Sequence, residues 1–162
     1  MDFAERAHHQ WHTIAPDIDI SHLLTTGRLQ RIASFVTARS EQRLAEFGIN
    51  RGEFNLLSVV RRSGKNCRAT ELSALTESSG AAITKRLERL VAKELVVRKE
   101  LPSDRRVVLV SLTDKGRDLI DQVFPLMVEL EREFIAPLNE GQRHALEEAL
   151  TIMLQHADPS DT

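Results

Sequence analysis

Basic side chains at two neighbouring places in the chain could bind the phosphates and base edges of DNA. Lys85 and Arg89 are four residues apart, so their side chains share one face if this segment is helical. Arg105 and Arg106 sit at the tip of a charged turn between two short apolar runs. Both residue types bind phosphate and guanine through charge-assisted hydrogen bonds. A basic helix followed by a basic hairpin predicts a major-groove reader with an arm for the adjacent minor groove.

The elements that must position these side chains follow from periodicity and capping signals. Gly48 is typical of a helix C-cap, and Asn50 with Glu53 and Asn139 with Gln142 form two predicted capping boxes. The predicted helices cover residues 2 to about 13, 18–47, 51–62, 69–76, 79–93, 113 or 114 to 134, and 139–155, and the predicted strands cover 96–99 and 107–112. This order predicts a mainly α fold with a small β wing, a winged helix-turn-helix.

The predicted elements divide the chain into three parts. Residues 1–47 hold an accessory helix and a long dimerisation and core helix, 48–112 hold the winged helix-turn-helix, and 113–162 hold C-terminal dimerisation helices. More apolar residues lie in the last part than so small a domain needs, namely Phe124, Leu126, Met127, Leu130, Phe134, Leu146, Leu150, Met153 and Leu154. We therefore expect a homodimer whose two reading helices lie about one DNA turn apart, ~34 Å, on a near-palindromic site.

The predicted reading helix has two distinct faces at ~100° per residue. Its apolar stripe, which should face the core, consists of Ile83, Leu87, Leu90 and Val91, whereas Ser78, Ala81, Lys85, Glu88 and Arg89 lie opposite. The predicted DNA contacts on this helix are Ser78, Ser79, Ala81, Ala82, Lys85 and Arg89. The two alanines would let the backbone approach the groove, and capping alone would equally explain the two serines. Arg86 falls at the boundary between the faces, so it could turn inward or towards solvent.

The distribution of charge favours nucleic acid although the net charge is −2. Residues 51–117 hold 15 Lys and Arg against 8 Asp and Glu, a net charge of +7, and the rest of the chain carries −9. A basic centre coinciding with the helix and wing is the electrostatic signature of a DNA-binding domain. The single cysteine excludes an internal disulfide, and no signal peptide or membrane span is evident, so we expect a cytoplasmic protein without membrane association.

The same segment resembles the MarR family of bacterial transcription regulators. The resemblance rests on Ser79, the run Thr84-Lys85-Arg86-Leu87-Glu88-Arg89-Leu90, Arg98, Asp104-Arg105-Arg106 and Leu112-Thr113-x-x-Gly116. It implies a homodimeric repressor in which Asp104 orients one wing arginine while the other enters the minor groove. This chain departs from the family at Glu94, where glycine is usual after the reading helix.

The N-terminal segment further resembles the PecS or urate-responsive branch of that family. Gln10-Trp11 and Pro16-Asp17-Ile18-Asp19 carry this likeness. It implies that a small anionic aromatic effector such as urate binds Trp11, Glu53, Arg86 and Arg98 and releases DNA. Glu53 stands where Asp is more usual, and the segment 64–79 is shorter than is common in the branch. Alternatively, Trp11 only pins the accessory helix to the core.

Other functions remain alternatives. His8, His9, His12 and His22 could sense a metal, and Cys67, beside Lys65 and Arg68, could sense oxidation. The long helices could also serve a protein-interaction module without DNA specificity. No nucleophile elbow, phosphate-binding glycine loop or metal-hydrolase motif occurs, so we expect no enzyme, no cofactor, no bound metal and no catalytic residue.

Overall fold

The computed structural model describes residues 1–64, 66–76, 79–101 and 104–157, with the side chains of residues 101 and 104–106 outside that description. The helices are α1 (Phe3–Ile14), α2 (Leu23–Ala45), α3 (Arg51–Ser63), α4 (Ala69–Leu75), α5 (Gly80–Ala92), α6 (Asp114–Ile135) and α7 (Glu140–Ala157). The strands are β1 (Cys67–Arg68), β2 (Val96–Leu101) and β3 (Asp104–Leu112). The predicted fold class, mainly helical with a small wing, is confirmed.

The wing is an antiparallel sheet with the strand order β1-β3-β2. Val96 pairs with Leu112 and Arg98 pairs with Val110, and the register shifts between Glu100 and Leu101. On the other side of β3, Cys67 pairs with Val110. The central strand thus ties the hairpin to the segment that precedes α4.

A single hydrophobic core lies under α5 and the base of the wing. It joins Leu56 and Leu57 of α3 to Leu72 of α4, to the buried stripe of α5, and to Ile120 and Val123 of α6. Burial of such side chains stabilises a fold by about 1.5–3 kcal/mol each. The core fixes α5 against α3 and α6, which determines the face that α5 presents to solvent.

The helix boundaries lie within two residues of the sequence prediction, except at the start of the long helix. The long helix begins at Leu23 rather than at residue 18. The carboxylate of Asp19 accepts a hydrogen bond from the Ser21 amide at 3.0 Å, and such local bonds compete with helix formation. The last helix extends to Ala157 rather than to residue 155, and the rest of the predicted tail lies outside the described residues.

The wing strands are longer than predicted, because β2 and β3 remain hydrogen-bonded towards the hairpin turn, past the apolar residues of each strand. Arg98 consequently lies in the middle of β2, and Arg105 and Arg106, which were predicted at the tip of the turn, belong with Asp104 to β3. The sequence prediction omitted β1, since two residues are too few for an alternating pattern to be visible.

The terminal helices α1 and α7 remain largely uncovered in the single chain. The helix α7 has no buried residue, and Leu146, Leu150, Met153 and Leu154 on it are exposed. Met127 and Leu130 of α6, by contrast, are buried within the chain, so these two members of the apolar set belong to the core. Among the described residues, no helix is long and apolar enough to cross a membrane.

Candidate DNA interface and effector pocket

Helix α5 separates a buried stripe from a basic exposed face. Ile83, Leu87 and Leu90 are buried, as their spacing predicts. Val91 was predicted to join them but is 40% exposed. It lies at the edge of the stripe, in the last turn of the helix beside buried Leu90.

The predicted contact residues of α5 lie on its other side. Ala81, Lys85 and Arg89 are exposed, and Ala82 is half-buried. The hydroxyl oxygen of Ser79 accepts a hydrogen bond from the Ala82 amide at 3.3 Å, so this side chain serves as the N-cap. Ser78 lies outside the described residues. The exposed face therefore presents the cations of Lys85 and Arg89 beside the small side chains of Ala81 and Ala82, an arrangement that fits the groove of DNA.

The wing arginines can be placed only by their backbone. Asp104, Arg105 and Arg106 begin β3, and Asp104 pairs with Leu101 across the hairpin. Their side chains lie outside the description, so the roles assigned to them stay predictions. Arg98 and Lys99 of β2 are exposed and add positive charge to the same hairpin.

Hydrogen bonds from the start of α6 hold the junction between α5 and the wing. Glu94 follows α5 with φ +59, the left-handed conformation that glycine would adopt without strain. The Thr113 hydroxyl donates to the Glu94 carbonyl at 2.7 Å, and the Thr113 amide donates to the Leu95 carbonyl at 3.1 Å. Gly116 packs so closely that a Cβ there would lie 2.8 Å from the Leu95 carbonyl carbon. These contacts explain physically the Leu112-Thr113-x-x-Gly116 motif.

Two of the four predicted effector residues meet at the first turn of α3. Glu53 is 1% exposed, and its Oε2 accepts from the Asn50 amide at 3.0 Å and from Lys93 Nζ at 2.7 Å. The other oxygen, Oε1, is buried without a hydrogen-bond partner among the described residues. Arg86 turns inward over the neighbouring Gly52, where a Cβ would lie 2.5 Å from the arginine Nε.

The other two predicted effector residues lie elsewhere. Trp11 is 55% exposed on α1, which packs along α2. Arg28 fixes that packing, because its guanidinium donates to Asp2 at 2.9 Å and to Glu5 at 3.1 Å. The Glu5 amide and then Arg28 donate to the Asp2 carboxylate, and together they lower its pKa below the ordinary value. Arg98 is exposed on β2.

The candidate metal and redox sensors have different surroundings. The rings of His8 and His12 stack with centroids 6.1 Å apart. Within the described part of the chain, no group of three or more His, Cys, Asp or Glu side chains could hold a metal ion. Cys67 is buried, and its sulfur lies 3.0 Å from the Ser63 hydroxyl. A buried thiol is poorly placed to meet an oxidant.

A surface ion pair joins the far end of α3 to α6. Arg61 donates two hydrogen bonds to the carboxylate of Asp121, at 2.7 and 3.0 Å. These bonds, with the positive charge of Arg61, lower the pKa of Asp121 below its ordinary value of 3.8. The pair connects two core helices without touching α5.

Sequence reasoning did not single out Lys93 or Gly52. Lys93 is the cation that pairs with buried Glu53, and Gly52 provides the space that Arg86 fills. One sequence signal pointed to Lys93. It is seven residues after Arg86, which places both side chains on one face of the helix.

Comparison with known proteins agrees with this architecture. The MarR family model matches residues 47–107, from the end of α2 to β3. The chain is 32% identical to the HTH-type transcriptional repressor NicR of Pseudomonas putida, covering 78% of this chain and 77% of that protein. It is 28% identical to the HTH-type transcriptional regulator PecS of Dickeya dadantii, covering 91% and 90% respectively.

A solved structure extends the likeness to three dimensions. BpsR of Bordetella bronchiseptica, whose DNA binding is described as regulated by 6-hydroxynicotinic acid, superposes with a TM-score of 0.70 at 26% identity. The match covers 80% of this chain and 97% of BpsR. These relatives are regulators and not enzymes, as the sequence predicted. With its winged helix, its basic α5 and these relatives, the chain belongs to the MarR family of DNA-binding transcription regulators.

Proposed function

We propose that the protein is a cytoplasmic homodimeric repressor that binds a near-palindromic operator and releases it when a small anionic aromatic effector binds. The observation that carries the proposal is the exposed face of α5, with Lys85 and Arg89 opposite the buried stripe. In this proposal α5 enters the major groove, and Arg105 and Arg106 of the wing reach the minor groove.

The dimer is proposed from the uncovered apolar surface of α7, together with the exposed Phe124 of α6. Contiguous exposed apolar surface of this kind is typical of an interface between protein chains. The dimer interface would be formed by residues 1–47 and 113–162 of each copy. The dimer would then present two winged helix-turn-helix units, residues 48–112. NicR, a repressor, supports the proposed sign of regulation.

The effector pocket is proposed at the first turn of α3. Its unpartnered Glu53 Oε1 could accept a ligand N–H, and the Arg86 guanidinium could bind a ligand oxyanion. Trp11 and Arg98 have exposed surface for a planar anion. BpsR supports the ligand class, because 6-hydroxynicotinic acid combines an aromatic ring with a carboxyl group. Movement of Arg86 would move α5 itself, which would couple ligand binding to DNA release.

Fluorescence anisotropy on operator DNA tests the DNA-binding half of the proposal. The operator is obtained by selection from a random DNA pool, and binding is measured over a salt series. Log K should fall steeply with log salt, by ~0.9 per phosphate contact. Lys85→Ala should cost about 1–3 kcal/mol of binding free energy, whereas Arg6→Ala, which removes a charge from α1, should cost little. Arg106→Ala should also weaken binding while leaving the dimer intact. Equal affinity of all the variants at matched salt would contradict the assignment.

Urate and 6-hydroxynicotinate, added to the same complex, test the effector half. Either compound should raise the operator Kd of the wild-type protein, and Trp11→Phe should reduce that response. Because Trp11 is the only tryptophan, its emission also reports ligand binding directly. A full response in Trp11→Phe would remove Trp11 from the pocket. Operator binding that ignores both compounds would refute this effector class without affecting the DNA assignment.

A further inference from the structure

Lys93 joins the end of α5 to two other helices. It is the C-cap residue of α5, and its Nζ donates to Glu53 Oε2 at 2.7 Å and to the Gly48 carbonyl at 2.8 Å. Glu53 lies in the first turn of α3, and Gly48, with φ +68, follows α2. One ammonium group therefore connects three helices at the point where the chain leaves α5 for the wing.

The contact with Glu53 is fixed because the carboxylate is buried. A charged group at 1% exposure requires a partner of opposite charge, and removal of that partner leaves a strongly unfavourable buried charge. Glu53 cannot move away easily, since its Oε2 also accepts a hydrogen bond from the backbone amide of Asn50, the N-cap residue of α3. The carboxylate thus offers Lys93 a fixed position on α3.

Arg86 makes a second contact between α5 and the same turn of α3. It precedes Lys93 by seven residues, about two helical turns, so both side chains project from one face of α5. Its guanidinium packs over Gly52, where any Cβ would approach Nε to 2.5 Å. Contacts two turns apart restrict the tilt of a helix, whereas a single contact would allow it to pivot.

Packing alone does not hold Lys93 in this position. Its side chain is 38% exposed and borders a cavity of about 710 Å³ whose apolar lining includes Phe47, Leu95 and Leu119. There is space for the side chain to swing away from α3. The ion pair and the Gly48 hydrogen bond therefore hold the Lys93 side chain against α3, and they add to the core packing of Leu87 and Leu90 at the end of α5.

We propose that Lys93 is a positioning residue for DNA recognition, which sets the tilt of α5 and hence the separation of the two reading helices in the dimer. The proposal rests on the proposed role of α5 in reading DNA. Lys93 need not touch DNA in order to act. Without its two bonds, the end of α5 is held to α3 by core packing alone and can shift in tilt, so the dimer accepts half-site spacings that the wild-type protein rejects.

The test compares operators that differ only in half-site spacing. The selected operator and versions with one base pair inserted or deleted between the half-sites are titrated with the full-length protein. The measured quantity is the ratio of the Kd for an altered spacing to the Kd for the selected spacing. The variants are Lys93→Met, Lys93→Arg and the double variant Glu53→Gln with Lys93→Met, which leaves no buried unpaired charge if Lys93→Met alone unfolds. Arg61→Met is the matched control, since it removes an α3 ion pair that does not touch α5.

We expect the spacing ratio to fall at least about threefold in Lys93→Met or the double variant, because correct spacing depends on the separation of the reading helices. Lys93→Arg and Arg61→Met should keep the wild-type ratio. A folded dimeric double variant with the wild-type ratio would overturn the proposal, as would a uniform loss of affinity on every operator.

Lys85→Ala, measured in parallel, separates the DNA-reading role of α5 from the positioning role of Lys93. If Lys85→Ala binds like wild type, the reading role of α5 fails; if it binds weakly while the ratio is unchanged in the double variant, only the role of Lys93 fails.

Discussion

The base of α5 and the terminal helix α7 are held in opposite ways. At the base, Gly116 meets the Leu95 backbone, Thr113 binds the Glu94 carbonyl, and buried Glu53 pairs with Lys93. On α7 no residue is buried, and the apolar side chains lie exposed. The winged helix-turn-helix, residues 48–112 and hereafter the reading unit, therefore has its stabilising contacts within one chain, whereas α7 carries the exposed apolar surface on which the proposed dimer rests.

This difference assigns separate consequences to mutations in the two regions. Substitutions at the base should change the free energy of unfolding of the reading unit. Substitutions on α7 should change association while leaving that unit folded. Four substitutions test this separation, and the expected change in free energy decreases from the first to the last.

Gly116→Ala should have the largest effect. The added methyl group would overlap the backbone of Leu95, which belongs to the core and cannot move without displacing the wing. Overpacking of this kind should lower the free energy of unfolding by about 3 kcal/mol, measured by urea denaturation. Gly141→Ala is the control, because a Cβ there meets only Asn139 Oδ1 at 3.6 Å, and it should change stability by less than about 1 kcal/mol. Equal effects would mean that the base is not close-packed.

Leu150→Asp should weaken dimerisation by about 2 kcal/mol, roughly thirtyfold in the dimer Kd, since each Leu150 is 39% exposed in the single chain and only that part of the two side chains is buried on association. Sedimentation equilibrium measures the change, and circular dichroism should show an unchanged helical content. Glu148→Ala, on the opposite face of α7, should associate like the wild-type protein. If Leu150→Asp leaves the dimer intact, another surface than this face of α7 forms the interface.

Glu94→Gly should stabilise the protein by about 1 kcal/mol, because glycine adopts φ +59 without the steric cost that a glutamate bears. Glu88→Gly, in the middle of α5, should instead destabilise by a similar amount, because glycine disfavours a helix interior. Thermal unfolding at fixed protein concentration measures both. A lower melting temperature for Glu94→Gly would show that the Glu94 side chain contributes more than its backbone strain costs.

Arg61→Met should have the smallest effect, and that effect should depend on pH. The pair with Arg61 lowers the pKa of Asp121 in the folded protein, so its contribution is present above the unfolded pKa and is lost as pH falls through the folded pKa. The variant should melt slightly below the wild-type protein at neutral pH, and the difference should shrink and then disappear as the pH falls below the ordinary carboxyl pKa of 3.8 and through the lowered pKa of folded Asp121. A difference that persists in acid would point to lost packing of the arginine stem instead of the ion pair.

The sequence predicted most of the fold because local signals coincide with tertiary contacts. The Asn50 and Asn139 capping boxes form as predicted, and Ile83, Leu87 and Leu90 face the core. Val91 was misplaced because it lies at the edge of the apolar stripe, where helical periodicity alone does not separate buried from exposed positions. Likewise β1 depends on a partner more than forty residues away, and two residues carry no pattern of their own.

The candidate site was less predictable. Glu53 and Arg86 were chosen by family likeness, and they meet at one turn of α3. Lys93 escaped notice because its role depends on the burial of Glu53, which only packing reveals. No local pattern predicts that Trp11 lies on a helix packed along α2, because that contact joins distant segments of the chain.

The strand order β1-β3-β2 leaves β2 at the edge of the sheet, where its outer backbone groups face solvent. An uncovered edge strand can recruit a strand from another molecule and start aggregation. Here the sequence Arg98-Lys99-Glu100 places consecutive charges along that edge. Two wings from separate molecules would therefore have to align charged strands before their backbones could pair. The charges on β2 thus disfavour edge-to-edge pairing between wings, which limits one route to aggregation.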